Sequence, residues 1–224
     1  EERDITLGEK TVEWALKEKI IAIVRGMEAK DCLRVAQALY DGGIRLMEIT
    51  YDQRDPAQWA KTADAIGKIA EAFEGRMLVG AGTVTTPELV TRTRDAGGQF
   101  IISPDTNPAV IARTRELELV SMPGAMTPSE ILAAHAAGAD LVKLFPAAAL
   151  GPAHLKAVRS PISHVRIMAV GGINEKNAAE FLKAGAVGLG VGGNLANRRW
   201  IADGAFEKIT QTAQALVAAV RTAE

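Results

Sequence analysis

Two charged side chains stand inside short apolar runs that are typical of buried β-strands. Lys143 interrupts the run 139–146, and Glu48 is the one carboxylate in the run 45–50. Burial disfavours the charged form of each group, so each needs an opposite charge or a chemical role. A neutral lysine amine can attack a ketone to form a Schiff base, and a carboxylate nearby can transfer the protons. We therefore hypothesise that Lys143 is a Schiff-base nucleophile and Glu48 its proton-transfer partner.

The same two residues could instead form a structural ion pair between strands, and taken alone they do not distinguish the two roles. Other unusual residues bear on the choice. Arg25 ends an apolar run, and the glycine pairs Gly171-Gly172 and Gly192-Gly193 follow two further runs. An ion pair would leave this arginine and these glycines unexplained, so their pattern favours a catalytic role for Lys143 and Glu48.

The elements that would carry these residues alternate regularly between strand and helix. Apolar runs predict eight strands, and alanine-rich stretches with a period of 3.6 residues predict eight helices after a leading helix at 6–19. Such alternation leaves an open doubly wound sheet or a closed barrel, and eight regular units favour a (β/α)₈ barrel, with residues 1–224 as a single domain. The predicted strands are 20–26, 46–50, 77–82, 99–103, 119–123, 141–145, 166–170 and 187–191. The predicted helices are 29–40, 56–73, 87–96, 108–116, 128–137, 152–159, 175–184 and 205–223.

Prolines and glycines mark the predicted helix ends. Proline is tolerated in a first helical turn, and a Thr or Asn before it can cap the helix. Glycine after the last turn adopts the left-handed conformation that ends many helices. The expected first-turn prolines are Pro87, Pro108, Pro128 and Pro152, with Thr86, Asn107 and Thr127 as N-caps, and the expected C-terminal glycines are Gly43, Gly97, Gly138 and Gly185.

In a (β/α)₈ barrel the chemistry lies at the carboxyl ends of the strands and in the loops that follow. Arg25, Glu48 and Lys143 all fall late in their strands. Side chains alternate along a strand, so each of these three points to the same side of its strand as the apolar residue two positions earlier. We expect all three to point into the barrel mouth.

The two glycine pairs predict a phosphate pocket. Gly171-Gly172 is expected to open the seventh helix, and Gly192-Gly193 follows the eighth strand. Without Cβ atoms, backbone N–H groups can close around an anion, and a helix N-terminus adds positive partial charge. Loops after strands seven and eight of such barrels are a frequent phosphate site. The alternative is that these glycines serve only tight turns.

Composition favours a small-molecule ligand. The 224 residues carry 26 basic and 27 acidic side chains, with a formal net charge of -1 and no long run of one sign, which gives no sign of a nucleic-acid or anionic-membrane partner. Cys32 is the only cysteine, so no intrachain disulfide can form, and we expect it to be buried. No apolar run reaches the ~18 residues of a membrane span. The charged stretch 1–10 lacks the apolar core of a signal peptide, so a cytoplasmic location is expected.

The three histidines show no spacing typical of a metal site, so no metal and no other cofactor is expected.

The ordered motifs resemble the 2-keto-3-deoxy-6-phosphogluconate aldolase family, which also includes 4-hydroxy-2-oxoglutarate and 2-keto-3-deoxy-6-phosphogalactonate aldolases. The resemblance extends from residue 20 to about residue 195. The motifs that carry it are Ala22-Ile23-Val24-Arg25-Gly26, Glu48-Ile49-Thr50, Gly80-Ala81-Gly82-Thr83-Val84, Ile102-Ser103-Pro104, Pro123-Gly124-Ala125-Met126-Thr127-Pro128-Ser129-Glu130, Lys143-Leu144-Phe145-Pro146-Ala147 and Gly171-Gly172-Ile173.

The resemblance implies a metal-independent class I aldolase that forms pyruvate and glyceraldehyde 3-phosphate from a 2-keto-3-deoxy-6-phospho sugar acid. It implies that Lys143 is the Schiff-base lysine and Glu48 the general acid/base. It also implies a homotrimer. The implied substrate-binding residues are Arg25 and Thr83 at the pyruvyl carboxylate, Pro104 and Phe145, and Gly171, Gly172, Gly192 and Gly193 around the phosphate.

The chain departs from the family pattern at three places. Gly193 stands where many members have a serine, so one hydroxyl donor to the phosphate is missing. Asp52 stands where some members carry an arginine, and Ala169-Val170 resembles the galactonate branch more than the Pro-Thr of many gluconate enzymes. The C4 configuration of the substrate is therefore open.

Two other functions are compatible with the same residues. In a phosphosugar isomerase or epimerase, Glu48 would abstract a proton and Lys143 would act only through its charge. In a non-catalytic phosphosugar-binding barrel, the pocket would bind without turnover. Only an iminium can be reduced by borohydride, so trapping distinguishes the aldolase from the isomerase or epimerase. Ligand binding without turnover would identify the binding barrel.

Overall fold

A computed structural model describes residues 5–223, and residues 1–4, the start of the charged stretch 1–10, lie outside the description together with residue 224. In the described part, nine strands form one parallel sheet in the order β5-β4-β3-β2-β1-β9-β8-β7-β6. The strands are β1 (Ile20–Val24), β2 (Leu46–Thr50), β3 (Leu78–Gly82), β4 (Phe100–Ile102), β5 (Val120–Met122), β6 (Gly124–Ala125), β7 (Val142–Leu144), β8 (Ile167–Val170) and β9 (Gly188–Val191).

The two ends of this sheet order are consecutive pieces of one strand, which makes the sheet a barrel. β5 pairs with β4 and β6 pairs with β7, and only Pro123 separates β5 from β6. Across the break, Lys143 N donates to Pro123 O at 2.8 Å. The predicted fifth strand, 119–123, is therefore corrected to two pieces that end at Ala125. Proline has no N–H for the ladder, which accounts for the interruption.

Helices surround the barrel, and several differ from their predicted bounds. The helices are α1 (Leu7–Glu18), α2 (Cys32–Asp41), α3 (Trp59–Ala72), α4 (Pro87–Asp95), α5 (Pro108–Glu116), α6 (Pro128–Ala136), α7 (Ala147–Arg159), α8 (Ala178–Lys183), α9 (Arg198–Ala202) and α10 (Phe206–Arg221). Short 3-10 turns at Ala29–Asp31 and Pro56–Gln58 precede α2 and α3.

Two of the predicted helices have wrong starts, and one helix was not predicted. α7 begins at Ala147 rather than at Pro152, because a first turn precedes the non-helical Gly151. α8 begins at Ala178 rather than at residue 175, because residues 174–177 form a turn held by asparagine side chains. α9 was not predicted, since five residues are too few to show a period.

The predicted caps are confirmed. Thr86, Asn107 and Thr127 each accept a hydrogen bond from a backbone N–H in the first turn of the following helix. The C-terminal glycines all have positive φ, which L-residues with a Cβ rarely adopt, and they are Gly43, Gly97, Gly138 and Gly185.

Two apolar clusters hold the fold. One fills the barrel, and the other lies between the sheet and the outer helices, where Cys32 is buried as expected at 2% exposure. Val12 and Ala15 of α1 pack on the inner cluster, so α1 covers one end of the barrel and leaves the mouth at the other. The inner cluster includes Ile21, Leu46, Leu78, Phe100, Ile102, Val120, Met122, Leu141, Met168 and Val170.

Among residues 5–223, no helix is both long enough and apolar enough to cross a membrane.

Candidate active site

Lys143 and Glu48 are buried near the mouth of the barrel. Lys143 lies in the middle of β7 and Glu48 in the middle of β2, and their side chains are 7% and 1% exposed. Leu141 and Leu46, two positions earlier in each sequence, belong to the inner cluster. Because side chains alternate along a strand, both charged groups point into the barrel, as predicted.

Glu48 is a desolvated carboxylate. Its Oε2 has no hydrogen-bond partner in the described part of the chain. Burial raises the pKa of Glu48 from 4.5 to about 7, and the positive charges of Lys143 and Arg25 oppose this rise. A carboxyl group with this pKa is present in both protonation states near neutral pH, so it can give as well as accept a proton.

Room for the Glu48 carboxylate comes from a glycine on the neighbouring strand. A Cβ on Gly82 of β3 would lie 2.6 Å from Glu48 Cδ and Oε2. The glycine at position 82 of the motif 80–84 therefore leaves space for the carboxylate, and Thr83 follows it directly.

The pKa of Lys143 is shifted downwards, which is the direction that a nucleophilic amine needs. Burial lowers the pKa of the Lys143 ammonium, the negative charge of Glu48 opposes this, and Arg25 lowers it further. The Lys143 Nζ lies 4.8 Å from the ring centroid of Phe145, which is 38% exposed at the mouth. A lower pKa increases the neutral amine fraction, which is the form that attacks a ketone.

Arg25 and Thr83 lie beside this pair at the rim. Arg25 follows β1, which ends at Val24, and its side chain is exposed. Thr83 follows β3 with a φ of 55°, an unusual conformation for a β-branched residue. Its carbonyl accepts a hydrogen bond from Gln53 Nε2 at 2.8 Å. Strain of this kind concentrates at functional sites, which agrees with the predicted role of Thr83 in binding.

Pro104 lies in the loop after β4, on the same rim. Its carbonyl packs so closely against Gly124 that a Cβ on that glycine would collide with it. Gly124 in turn pairs with Lys143 across β6 and β7. Pro104 is thus one strand away from the lysine.

The two glycine loops lie next to each other. Asn194 Nδ2 donates to Ile173 O at 3.0 Å, which links the loop after β9 to the loop after β8. Among the described residues, the backbone N–H groups of Gly172 and Gly193 donate no hydrogen bond. These free donors fit an anion site. The sequence analysis expected Gly171-Gly172 to open the seventh outer helix, whose N-terminus would add positive partial charge to the anion site. This expectation was wrong, because that helix is α8, which begins only at Ala178 and has six residues.

Phe145 connects the lysine to the first glycine loop. A Cβ on Gly171 would lie 3.2 Å from the Phe145 ring, and Ala148 N donates to Gly171 O at 2.9 Å. The predicted residues of β7 and of the loop after β8 are therefore adjacent in the structure.

A cleft beside the mouth contains basic residues that the sequence analysis missed. It has a volume of about 820 Å³, and its wall includes Arg25, Thr50 and Thr83 of the mouth. The missed cations are Lys30, Arg54, Lys61 and Arg198. The one sequence signal for Arg198 is its place just after the second glycine pair. Within residues 5–223, no group of three or more His, Cys, Asp or Glu side chains could hold a metal ion.

Solved structures with the same fold include aldolases. A structure described as native KDPGal has a TM-score of 0.81 and 34% identity, covering 91% of this chain and 95% of its own. A KDPG aldolase from Legionella pneumophila, with pyruvate captured at low pH as a covalent carbinolamine intermediate, has a TM-score of 0.82 and 30% identity, covering 96% and 99%.

Sequence relatives agree with this likeness. A probable 2-dehydro-3-deoxy-6-phosphogalactonate aldolase of Rhizobium meliloti (strain 1021) is 39% identical over 181 residues, which are 80% of this chain and 82% of the relative. The 2-dehydro-3-deoxy-6-phosphogalactonate aldolase of Escherichia coli (strain K12) is 34% identical over 213 residues, or 95% and 99%. The profile of the KDPG and KHG aldolase family matches residues 12–212. The chain belongs to the KDPG and KHG aldolase family.

Proposed function

We propose that this protein is a class I aldolase that cleaves a 2-keto-3-deoxy-6-phospho sugar acid to pyruvate and glyceraldehyde 3-phosphate. One observation carries the proposal. A buried lysine with a lowered pKa shares the barrel mouth with a buried carboxyl group whose pKa is about 7. Membership of the aldolase family supports the same reaction.

Lys143 begins the reaction as a neutral amine. With an ordinary lysine pKa of ~10.4, only about one molecule in 2,500 would be neutral at pH 7. Burial and Arg25 increase this fraction by lowering the pKa of Lys143. The Nζ attacks the C2 ketone to give a carbinolamine, which loses water to form an iminium.

Glu48 moves the protons in the later steps. As the C3–C4 bond breaks, its electron pair enters the iminium and forms an enamine, while the C4 hydroxyl loses a proton and becomes the aldehyde. Glu48 accepts that proton and then returns one to C3, directly or through the water released from the carbinolamine. Hydrolysis of the resulting iminium frees pyruvate and Lys143. The iminium is the electron sink, so these steps use no metal or other cofactor.

The remaining rim residues would hold the two ends of the substrate. Arg25 and Thr83 stand beside the Lys143–Glu48 pair, where the pyruvyl carboxylate would lie, and Phe145 and Pro104 would border the carbon chain. The four glycines of the loops after β8 and β9 would surround the phosphate with backbone N–H groups. Gly193 offers no hydroxyl, so these N–H groups carry most of that binding.

Reductive trapping tests the proposal. Borohydride added with pyruvate should inactivate the protein and add one pyruvate-derived mass to the peptide that contains Lys143. Lys143→Met should give no adduct, whereas Lys183→Met, which removes an exposed lysine of α8, should be trapped normally. If Lys143 stays unmodified and the protein keeps its full activity after this treatment, the Schiff base is excluded.

Turnover separates an aldolase from a binding protein. Pyruvate release should be measured with both C4 epimers of the 2-keto-3-deoxy-6-phospho acid and with the unphosphorylated acids. The preferred epimer assigns the gluconate or galactonate configuration. Binding of all these acids without pyruvate release would indicate the non-catalytic barrel.

We also propose that residues 1–224 act as one barrel domain, in a cytoplasmic homotrimer that binds small molecules and neither nucleic acid nor membrane. One sheet that takes strands from the whole described chain supports the single domain, and the family resemblance supports the trimer. Light scattering after size-exclusion chromatography tests the trimer.

A further inference from the structure

The cleft beside the mouth is large enough for a ligand of its own. It opens between the loops after β1 and β2, and neither Lys143 nor Glu48 lines it. Its volume of about 820 Å³ falls within the usual range of small-molecule sites. Arg25 and Thr83 form the boundary between this cleft and the place where a keto acid would react.

The wall of the cleft is positively charged. It contains two carboxylates, Glu28 and Asp52, against five cations. Asp52 already lies 3.5 Å from Arg54 Nε, so this pair is largely self-neutralising. The other four cations are Arg25, Lys30, Lys61 and Arg198. A concave wall of one sign concentrates its potential and attracts anions.

Arg198 reaches the cleft from another part of the rim. It follows the loop after β9, yet its guanidinium lies over Gly26 so closely that a Cβ there would collide with it. Its charge also contributes to the low pKa of Asp52, for which the main cause is the hydrogen bond from the Arg54 backbone N–H. Within the described chain, Arg198 has no ion pair and no side-chain hydrogen bond.

This arrangement leaves Arg198 available to a ligand. Ordering an exposed arginine side chain costs conformational entropy, and no carboxylate in the described chain offsets that cost through direct contact. The Cβ-free backbone at Gly26, whose φ is 66°, gives the guanidinium its place.

We propose that this cleft is a second anion site, separate from the Lys143 position, and that it binds a small phosphate monoester. Arg198 can offer two parallel N–H donors to phosphate oxygens, and Lys30 and Lys61 add point charges. Met27, Ile49 and Ala65 supply apolar wall for a short carbon chain.

Occupation of the cleft affects the neighbouring keto-acid position through Arg25. The two positions share this cation, so an anion in the cleft competes for its charge. A bound phosphate monoester should therefore raise the KM for the keto acid.

Calorimetric titration with glycerol 3-phosphate at low ionic strength tests the site, because this probe has no carbonyl group and cannot react with Lys143. Arg198→Gln and the double variant Lys61→Gln/Arg198→Gln should each bind it at least tenfold more weakly than the wild type. Arg199→Gln is the matched control, since Arg199 is the next residue in the chain, faces Asp203 at 3.7 Å and does not line the cleft. Borohydride trapping of pyruvate in every variant verifies that the barrel is intact and is independent of phosphate binding.

Amide chemical shifts locate the bound probe. Changes at Lys30 and Lys61 are expected on titration. A Kd for the double variant within twofold of the wild type would overturn the proposal. So would changes confined to Gly172 and Gly193, or no binding by the wild type at millimolar concentration.

Discussion

The carboxylate of Glu48 occupies the space that a side chain on Gly82 would need. A Cβ at Gly82 would lie 2.6 Å from Glu48 Oε2, and no donor in the described part of the chain makes a hydrogen bond to this oxygen. Its position thus depends on the missing Cβ of the neighbouring strand. This relationship makes Gly82 a means of moving Glu48 without changing Glu48 itself.

Gly82→Ala should displace the Glu48 carboxylate and reduce pyruvate release by ~10²–10⁴, the usual contribution of a positioned acid/base. Glu48→Gln should show a loss in the same range while the iminium with pyruvate still forms slowly. Steady-state kinetics and borohydride trapping measure the two effects. A loss below tenfold in both variants would demote Glu48 to a structural role.

Gly80→Ala is the contrasting substitution on the same strand. Its Cβ would collide with the backbone carbonyl of Phe100, which cannot swing away. We therefore expect Gly80→Ala to lower the melting temperature strongly, whereas Gly82→Ala acts mainly on activity because it displaces a side chain. Equal melting temperatures of the two variants would contradict this distinction.

The pH dependence of stability should reveal the raised pKa of Glu48. Its value is 4.5 ordinarily and about 7 in the folded chain, so the folded chain holds this proton more tightly than the unfolded chain. The resulting stabilisation is fully present below pH 4.5 and is lost as the pH rises to about 7. At 1.36 kcal/mol for each pKa unit, the loss is roughly 3 kcal/mol.

Urea unfolding of the wild type and of Glu48→Gln across this pH window measures the effect. The glutamine variant lacks the titrating group, so the free energy of unfolding of the wild type should fall relative to the variant as the pH rises. Parallel curves would mean that the pKa of Glu48 is ordinary.

Thr83 offers a test of backbone strain at the site. Its φ of 55° costs a residue with a Cβ roughly 1–2 kcal/mol, and glycine is free of this cost but loses about 0.5–1 kcal/mol in chain entropy. The free energy of unfolding of Thr83→Gly should therefore be about 0.5–1 kcal/mol higher than that of Thr83→Ala. Both variants lack the hydroxyl, so both should raise the KM for the keto acid similarly. If the alanine variant is the more stable, the strain at Thr83 is negligible.

Local sequence signals were sufficient for the elements with clear ends. The second strand, Leu46–Thr50, and α5, Pro108–Glu116, have their predicted bounds, because an apolar run or an Asn-Pro cap fixes each locally. The facing of Lys143 and Glu48 followed from simple alternation along a strand. The break at Pro123 was missed although its cause, a missing N–H, stands in the sequence.

Features that depend on distant contacts could not be predicted. Arg198 joins the cleft only because the loop after β9 crosses to Gly26, and no spacing in the sequence indicates that contact. The pKa of Glu48 likewise depends on how fully the barrel buries it. The end of α8 nearest the glycine loop was misplaced because Asn174 and Asn177 hold a turn where a helical start was expected.

The last prediction concerns Gly193, where a serine hydroxyl is missing from the expected phosphate loop. Its φ is not in the left-handed region and a Cβ there would have nothing within 4 Å, so a side chain fits without strain. A hydrogen bond to a charged group is worth roughly 1.5–3 kcal/mol, so Gly193→Ser should lower the KM for a phosphorylated substrate about tenfold or more. The KM of the same variant for an unphosphorylated 2-keto-3-deoxy acid should not change.

Gly172→Ser is the matched control in the neighbouring loop, since its φ of 73° and an Ala148 Cβ only 2.5 Å from the new Cβ make any side chain costly there. Gly172→Ser should lower the melting temperature and weaken the binding of the phosphorylated substrate, whereas Gly193→Ser should leave the melting temperature unchanged. Values of kcat/KM for both substrates in both variants complete the test. Only a phosphate in contact with residue 193 can make Gly193→Ser distinguish the two acids. If Gly193→Ser raises kcat/KM equally for both acids, or for neither at unchanged stability, the phosphate does not lie against this loop.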